Sequence, residues 1–328
     1  MRRSRSSALA LLLALGAGGN VQAQSDPSFE GGGALFLLFP VGARATATGQ
    51  AATSDGGSTE ALYWNPAGLQ SIQRSEAALH YYNRGIFGTG TALVVALPSG
   101  GLGTFAFGAY LVDFGEDEVR PGPGQPTGKI LTRNVSLNAA FATEVAFGIN
   151  AGIAYKLVQF RVDCSGDCSS FPTAVGTTHA VDIGLRYAFT TVPIELGAAL
   201  RHLGFNLQVN NQAQADPLPT RLAIGMSGRI VRPDSGAEGV DVRIMGDVVM
   251  PVTQSSSNPY AVFGIDGGVR DVVRIRAGYA FLAGQAGGPS IGLGVHVGRV
   301  SIDLGRTFDS GEDLGEQEPM HLSVRVAL

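Results

Sequence analysis

The chain is short of charge, of cysteine and of long apolar runs. Asp, Glu, Lys and Arg make up only 15% of its 328 residues, well below the ~25% of an ordinary soluble domain. After residue 23 no stretch reaches the ~18 apolar residues that a spanning helix requires, which excludes a helical membrane protein. The five histidines, His80, His179, His202, His296 and His321, form no His-x-x-x-His or Glu-x-x-His pair, so no metal site is indicated. His321 and Ser323 lack an evident third partner for hydrolysis, and no other catalytic set stands out. Gly-x-Gly occurs at Gly88-Thr89-Gly90 and Gly292-Leu293-Gly294, but never in the strand-loop-helix setting that cradles a phosphate. No basic block suggests nucleic acid. The expectation is a non-enzyme without a cofactor.

The only cysteines are Cys164 and Cys168. No histidine lies near them to complete a zinc site. A disulfide between them would close a very small loop and contribute little chain entropy; a redox pair or a metal site is the alternative. The compartment is expected to be oxidising, because the N-terminus reads as an export signal. Arg2, Arg3 and Arg5 precede the apolar run Ala8 to Leu15, and Val21-Gln22-Ala23 is a small-x-small cleavage pattern. Residues 1–23 are thus expected to be a signal peptide. The mature chain would have 328 − 23 = 305 residues and 23 − 3 = 20 basic against 27 acidic groups.

What the sequence has in quantity is glycine, 47 residues, and alternation with a period of two. Val181, Ile183, Leu185, Tyr187 and Phe189 alternate with Asp182, Gly184, Arg186 and Ala188. Phe147, Ile149, Ala151, Ile153, Tyr155 and Leu157 alternate with Gly148, Asn150, Gly152, Ala154 and Lys156. Fourteen such segments are predicted, at 75–82, 90–97, 103–112, 131–142, 146–160, 179–189, 194–203, 220–230, 240–249, 260–269, 272–281, 289–297, 300–307 and 319–328. Apolar faces nearly free of charge oppose faces carrying both signs, among them Lys156, Asp182, Arg201, Asp247, Asp266, Arg276 and Asp303. A soluble sandwich would expose its polar faces and carry more charge. Eight residues of tilted strand cover roughly 20 Å, near the ~25 Å apolar band of an outer-membrane barrel. The predicted fold is therefore all-β: a transmembrane antiparallel barrel of about fourteen strands over 75–328, in the bacterial outer membrane. Long connections such as 113–130 and 161–178 alternate with short ones such as 143–145 and 298–299, which places both termini in the periplasm. The glycines suit curved strands and lumen space.

Residues 24–74 do not alternate. Gly42, Ala43 and Arg44 open a run of small residues that includes Gly49, an acidic loop follows, and then comes Tyr63-Trp64-Asn65-Pro66-Ala67-Gly68-Leu69. Asn before Pro is a helix-start signal. This pattern resembles the PorV/PorQ family, a branch of the FadL-like outer-membrane barrels, over nearly the whole mature chain. The resemblance implies a fourteen-stranded barrel whose segment 24–74 folds into the lumen as a plug. Thr46, Thr48 and Gln50 stand where the family is rich in Leu, Met and Gly, which would make this plug more polar. Trp64 is expected to anchor it. The partners implied are outer-membrane lipid, the barrel-assembly machinery, and either hydrophobic small molecules or exported proteins. Transport across the outer membrane, type IX secretion or surface attachment of exported cargo, and a purely structural role all remain open at this point.

Overall fold

Strands that place one face in hydrocarbon must leave no unpaired edge, so the sheet has to close on itself. In the computed structural model it does. The structure describes residues 33–84, 88–120, 122, 124–168, 173–209, 215–231, 239–253, 258–270, 272–281, 287–308 and 319–328. The expected signal peptide and the start of the expected plug lie outside them. The strands are β1 (Glu76–Asn83), β2 (Thr89–Pro98), β3 (Thr104–Val119), β4 (Gly128–Ala146), β5 (Ile149–Gly166), β6 (Ala174–Ala188), β7 (Ile194–Gly204), β8 (Leu207–Gln208), β9 (Ala215–Asp216), β10 (Arg221–Val231), β11 (Val240–Pro251), β12 (Tyr260–Val269), β13 (Val273–Phe281), β14 (Pro289–Val297), β15 (Val300–Thr307) and β16 (Met320–Ala327). β8 and β9 form a separate small hairpin. The other fourteen pair antiparallel in chain order, and β1 with β16 closes the ring from Glu76 opposite Ala327 to Asn83 opposite Met320. This is the predicted fourteen-stranded barrel.

The faces follow the alternation. Ile183, Leu185, Leu293 and Ile153 point outward, whereas Lys156, Asp182, Arg276 and Asp303 point inward and are buried. Aromatic pairs such as Tyr187 with Phe189 and Tyr279 with Phe281 stand outside near strand ends, as interfacial girdles do. A closed barrel with this apolar exterior is an outer-membrane barrel.

Two expectations fail. The connections predicted at 113–130 and 161–178 are largely strand: β3 to β6 run for 16, 19, 18 and 15 residues, against 8 to 12 for the other wall strands. The apolar alternation ends where lipid ends, but ladder hydrogen bonds carry on in water. Ion pairs Arg133–Asp113 and Lys129–Glu116 lie along the extension. The turn expected at 143–145 falls instead at Phe147 and Gly148, with φ of 46° and 80°. Two consecutive positive φ values make a tight hairpin, and Phe147 is 95% exposed on the turn rather than on a strand face.

Ile183→Arg tests the lipid face. A charge at the bilayer midplane costs ~2–4 kcal/mol, so this variant should lose much of its heat-modifiable folded band on a gel while Ile183→Leu keeps it. Equal folding of the two would contradict the assigned face.

Candidate functional site in the lumen

A fourteen-stranded barrel is too wide for wall side chains alone to fill. Here the chain before β1 occupies the space. Gly33 donates to the carbonyl of Pro217 in the long 205–220 connection, at the end away from Leu328. The described chain thus enters the lumen opposite the C-terminus; the N-terminus, expected at the same end as Leu328, lies outside the described residues. A 3₁₀ turn follows at Leu35–Leu38, then helix α1 (Ala43–Ala47), helix α2 (Ala61–Trp64) and a 3₁₀ turn at Pro66–Ser71.

The segment meets the wall at glycines. A Cβ on Gly264 would lie 2.5 Å from the Thr48 carbonyl, and one on Gly305 2.6 Å from the Ala43 carbonyl. Gly278 and Gly197 leave room in the same way for the backbone at Gly49 and Thr53, and Gly152 and Gly184 for Pro66 and Asn65. Much of the glycine content is therefore a seat for the segment rather than open lumen. Ser hydroxyls finish the contact: Ser323 accepts from Ala43 N–H (2.8 Å) and Ser290 from Gly49 N–H (3.0 Å).

Charges tie the segment in place. From one wall, Arg186 pairs with Glu195 (2.9 Å), Glu195 with Arg243, and Arg243 with Asp55 (2.5 Å). Asp55 pairs within the segment with Arg44 (2.6 Å). Arg44 approaches Asp266 (3.9 Å), which Arg276 and Arg274 also hold; Arg276 continues to Asp303 (2.7 Å) and Asp303 to Arg325 (3.2 Å). Burial alone would raise the Asp55 carboxyl, yet Arg44 and Arg243 beside it hold it well below the usual carboxylate range. Glu60 caps α1 by accepting from Ala45 N–H (2.9 Å). Burial, only partly offset by Arg325 and Arg44, pushes its carboxyl up to about 7. Gly42, at φ 99°, has no side chain because Glu60 fills that space.

The Tyr63–Leu69 motif forms the hinge of the segment. Asn65 is fully buried; its Oδ1 accepts from Ala67 N–H (3.1 Å), and its amide donates to the carbonyls of Thr53 (2.6 Å) and Leu185 (3.0 Å). Pro66 begins the 3₁₀ turn. The Gly68 carbonyl accepts from Gly57 N–H, which folds the acidic loop back. Trp64 donates to the Val41 carbonyl (2.9 Å), and its ring faces the Arg201 guanidinium at 5.1 Å. Above this hinge lies a cavity of about 30 Å³. Leu37, Phe39, Tyr63 and Trp64 line it from the segment, and Tyr110, Lys156, Arg201 and Arg221 from the wall.

The structure thus gathers Gly42, Ala43, Arg44, Gly49 and Tyr63 to Gly68 into one lumen body. Cys164 and Cys168 are bridged to each other at the far tip of β5, outside it. The polar departures in α1 do not face the cavity, because the Thr46 and Thr48 hydroxyls turn back onto carbonyls of α1; only Gln50 reaches it. Sequence reasoning passed over Asp55, Glu60 and Arg221. The first two sit in the non-alternating loop, where no period marks an inward face.

Gly278→Val should unseat the segment without opening the wall. Overpacking at a close contact costs ~1–3 kcal/mol, so protease cleavage within 43–69 in detergent should rise roughly tenfold while the barrel keeps its heat-modifiable mobility. Unchanged cleavage would show that the segment is not held there. The Glu60 carboxyl keeps its proton to higher pH than its unfolded value of 4.5, so its contribution to seating falls as pH rises from 4.5 to about 7. Glu60→Gln should remove that part of the pH dependence of protection; identical pH profiles for the two proteins would contradict the assignment.

No family model and no curated protein matches the sequence. Solved structures do resemble it. The toluene transporter TbuX of Ralstonia pickettii is 13% identical with a TM-score of 0.58, over 88% of this chain and 98% of that one. A FadL homologue of Pseudomonas aeruginosa is 12% identical with a TM-score of 0.57, over 88% and 98%. The monoaromatic hydrocarbon channel CymD is 12% identical with a TM-score of 0.60, over 89% and 98%. At these identities the likeness is one of fold, and the fold is FadL-like.

Proposed function

We propose that this protein admits small hydrophobic molecules across the outer membrane. The observation that carries the reading is the pairing of a lumen filled by the 33–74 segment with a cavity lined by Leu37, Phe39, Tyr63, Trp64 and Tyr110. A filled lumen opposes bulk passage of water and ions, while the aliphatic and aromatic side of the cavity favours a solute with an apolar body. The toluene and monoaromatic hydrocarbon transporters of the same fold support the same solute class. In this reading residues 1–23 are removed on export, the assembly machinery inserts the barrel into outer-membrane lipid, and 24–74 is the plug.

Radiolabelled toluene uptake by cells expressing the protein tests this. Initial uptake should exceed that of empty-vector cells several-fold, with no gain in sensitivity to large hydrophilic antibiotics. Uptake equal to the vector control would sink the reading.

A second reading, a PorV/PorQ-type role in secretion or surface attachment, has its own support. The Tyr63–Leu69 motif is one source. The other is the extension of β3 to β6, a paired sheet beyond the apolar band that offers exported proteins a broad surface. Cargo would then bind outside the barrel, since the lumen is filled. Crosslinking from the β3–β4 tip to exported proteins, together with vector-level toluene uptake, would favour it.

A further inference from the structure

The lumen charges fall into two sets that are balanced differently. At the periplasmic end, the chain through Arg44 and Asp55 alternates cation and anion along its length. Around the cavity in the outer half stand Lys156, Arg201 and Arg221; Asp247 acts on Arg201 from beyond ion-pair distance, and the carboxylate in direct contact with this group is Asp182. That carboxylate is already engaged by Lys156 (2.6 Å) and by the His202 N–H (2.7 Å). Arg221 has a phenol, Tyr260 (2.5 Å), as its partner, and its Nε has none.

Arg201 is the sharpest case. It is 8% exposed, lines the cavity, and among the described residues has no hydrogen bond or ion pair. Its one recorded contact of this kind is with the face of the Trp64 ring. Stacking on an aromatic leaves the guanidinium edge, with its N–H donors, unused. A buried guanidinium whose N–H donors meet no anion at hydrogen-bond distance is disfavoured unless something supplies one. Strand geometry explains how it is held there. Between Val181 and Ile183 the β6–β7 register shifts, and His202 takes a φ of 58°. Asp182 then caps the His202 N–H, and the bulge fixes Arg201 against Trp64.

We propose that the cavity binds an aromatic carboxylate, with the carboxylate on Arg201 and Arg221 and the ring among Trp64, Tyr63, Leu37 and Phe39. Guanidinium and carboxylate match in planar, two-point geometry. The 30 Å³ cavity holds roughly two waters, or the head of such a ligand. The ring requires its partly buried lining residues, Leu37 and Phe39 among them, to yield. This rests on the transport reading and deepens it: among small aromatic cargoes, one with an anionic group is held more tightly than a neutral hydrocarbon.

Trp64 is the only tryptophan, so its fluorescence in the full-length protein in detergent reports the cavity directly. Titrations with benzoate, its neutral isostere benzamide, and formate separate ring from charge. Benzoate should change the emission saturably, with a Kd at least tenfold below those of benzamide and formate. Arg201→Gln should raise the benzoate Kd at least tenfold and leave benzamide unchanged. Benzamide binding as tightly as benzoate overturns the anionic head, and formate binding as tightly overturns the aromatic body. If Arg201→Gln fails to give a heat-modifiable band, Arg221→Gln and the wild-type comparison of the three probes decide alone. The toluene uptake assay is scored independently. Raised uptake without tighter benzoate binding defeats this inference and keeps the transport reading, and vector-level uptake defeats the transport reading itself.

Discussion

Two side chains of the lumen segment, Arg44 and Asp55, join two groups of wall charges into one network. Without them Arg186 and Arg243 would share the single carboxylate of Glu195, while Asp266 and Asp303 would keep Arg274, Arg276 and Arg325. Buried charges of this kind are costly alone and tolerable only as a connected network. The wall and the segment therefore depend on each other: the wall supplies two sets of paired arginines and carboxylates, and the segment supplies the bridge that makes them one network. The wall glycines are the steric half of the same dependence. They bring backbone to backbone, and only at that distance do the Arg44 and Asp55 side chains reach across.

This coupling also fixes where free space remains in the lumen. With the segment seated, the half of the lumen nearer Leu328 is packed and its charges are paired. The free space lies higher, between the Tyr63–Trp64 hinge and the walls of β3 to β5, β7 and β10. There the charges are no longer balanced, and Trp64 serves two ends at once, holding the segment through Val41 and presenting its face to Arg201. A solute in the cavity would touch Tyr63 and Trp64 of the segment itself, so its binding and the position of the hinge would be linked.

The barrel was legible in the sequence because its physics is periodic. Lipid on one side and a polar interior on the other write themselves into every second residue. The boundaries of β1, β2, β7 and β10 to β16 accordingly lie within two residues of those read from alternation. The long extensions of β3 to β6 were not legible, because beyond the bilayer the two faces no longer differ. The turn at Phe147 was missed because a bulky apolar residue at positive φ looks like one more strand position. In the lumen, the Tyr63–Leu69 motif and Arg44 stood out as a pattern, but their partners did not. Which inward charge meets which is set by barrel stagger, and no local period records it. Arg201 read as one lumen charge among many; that no carboxylate comes within ion-pair distance of it among the described residues is a fact of three dimensions.

The central claim is that the segment before β1 closes the lumen. Planar-bilayer recording of the purified wild-type protein tests it most directly. The account predicts no steady ohmic conductance above the bare-membrane level, with at most brief openings. A stable, porin-like conductance from the intact protein would show an open lumen and contradict it.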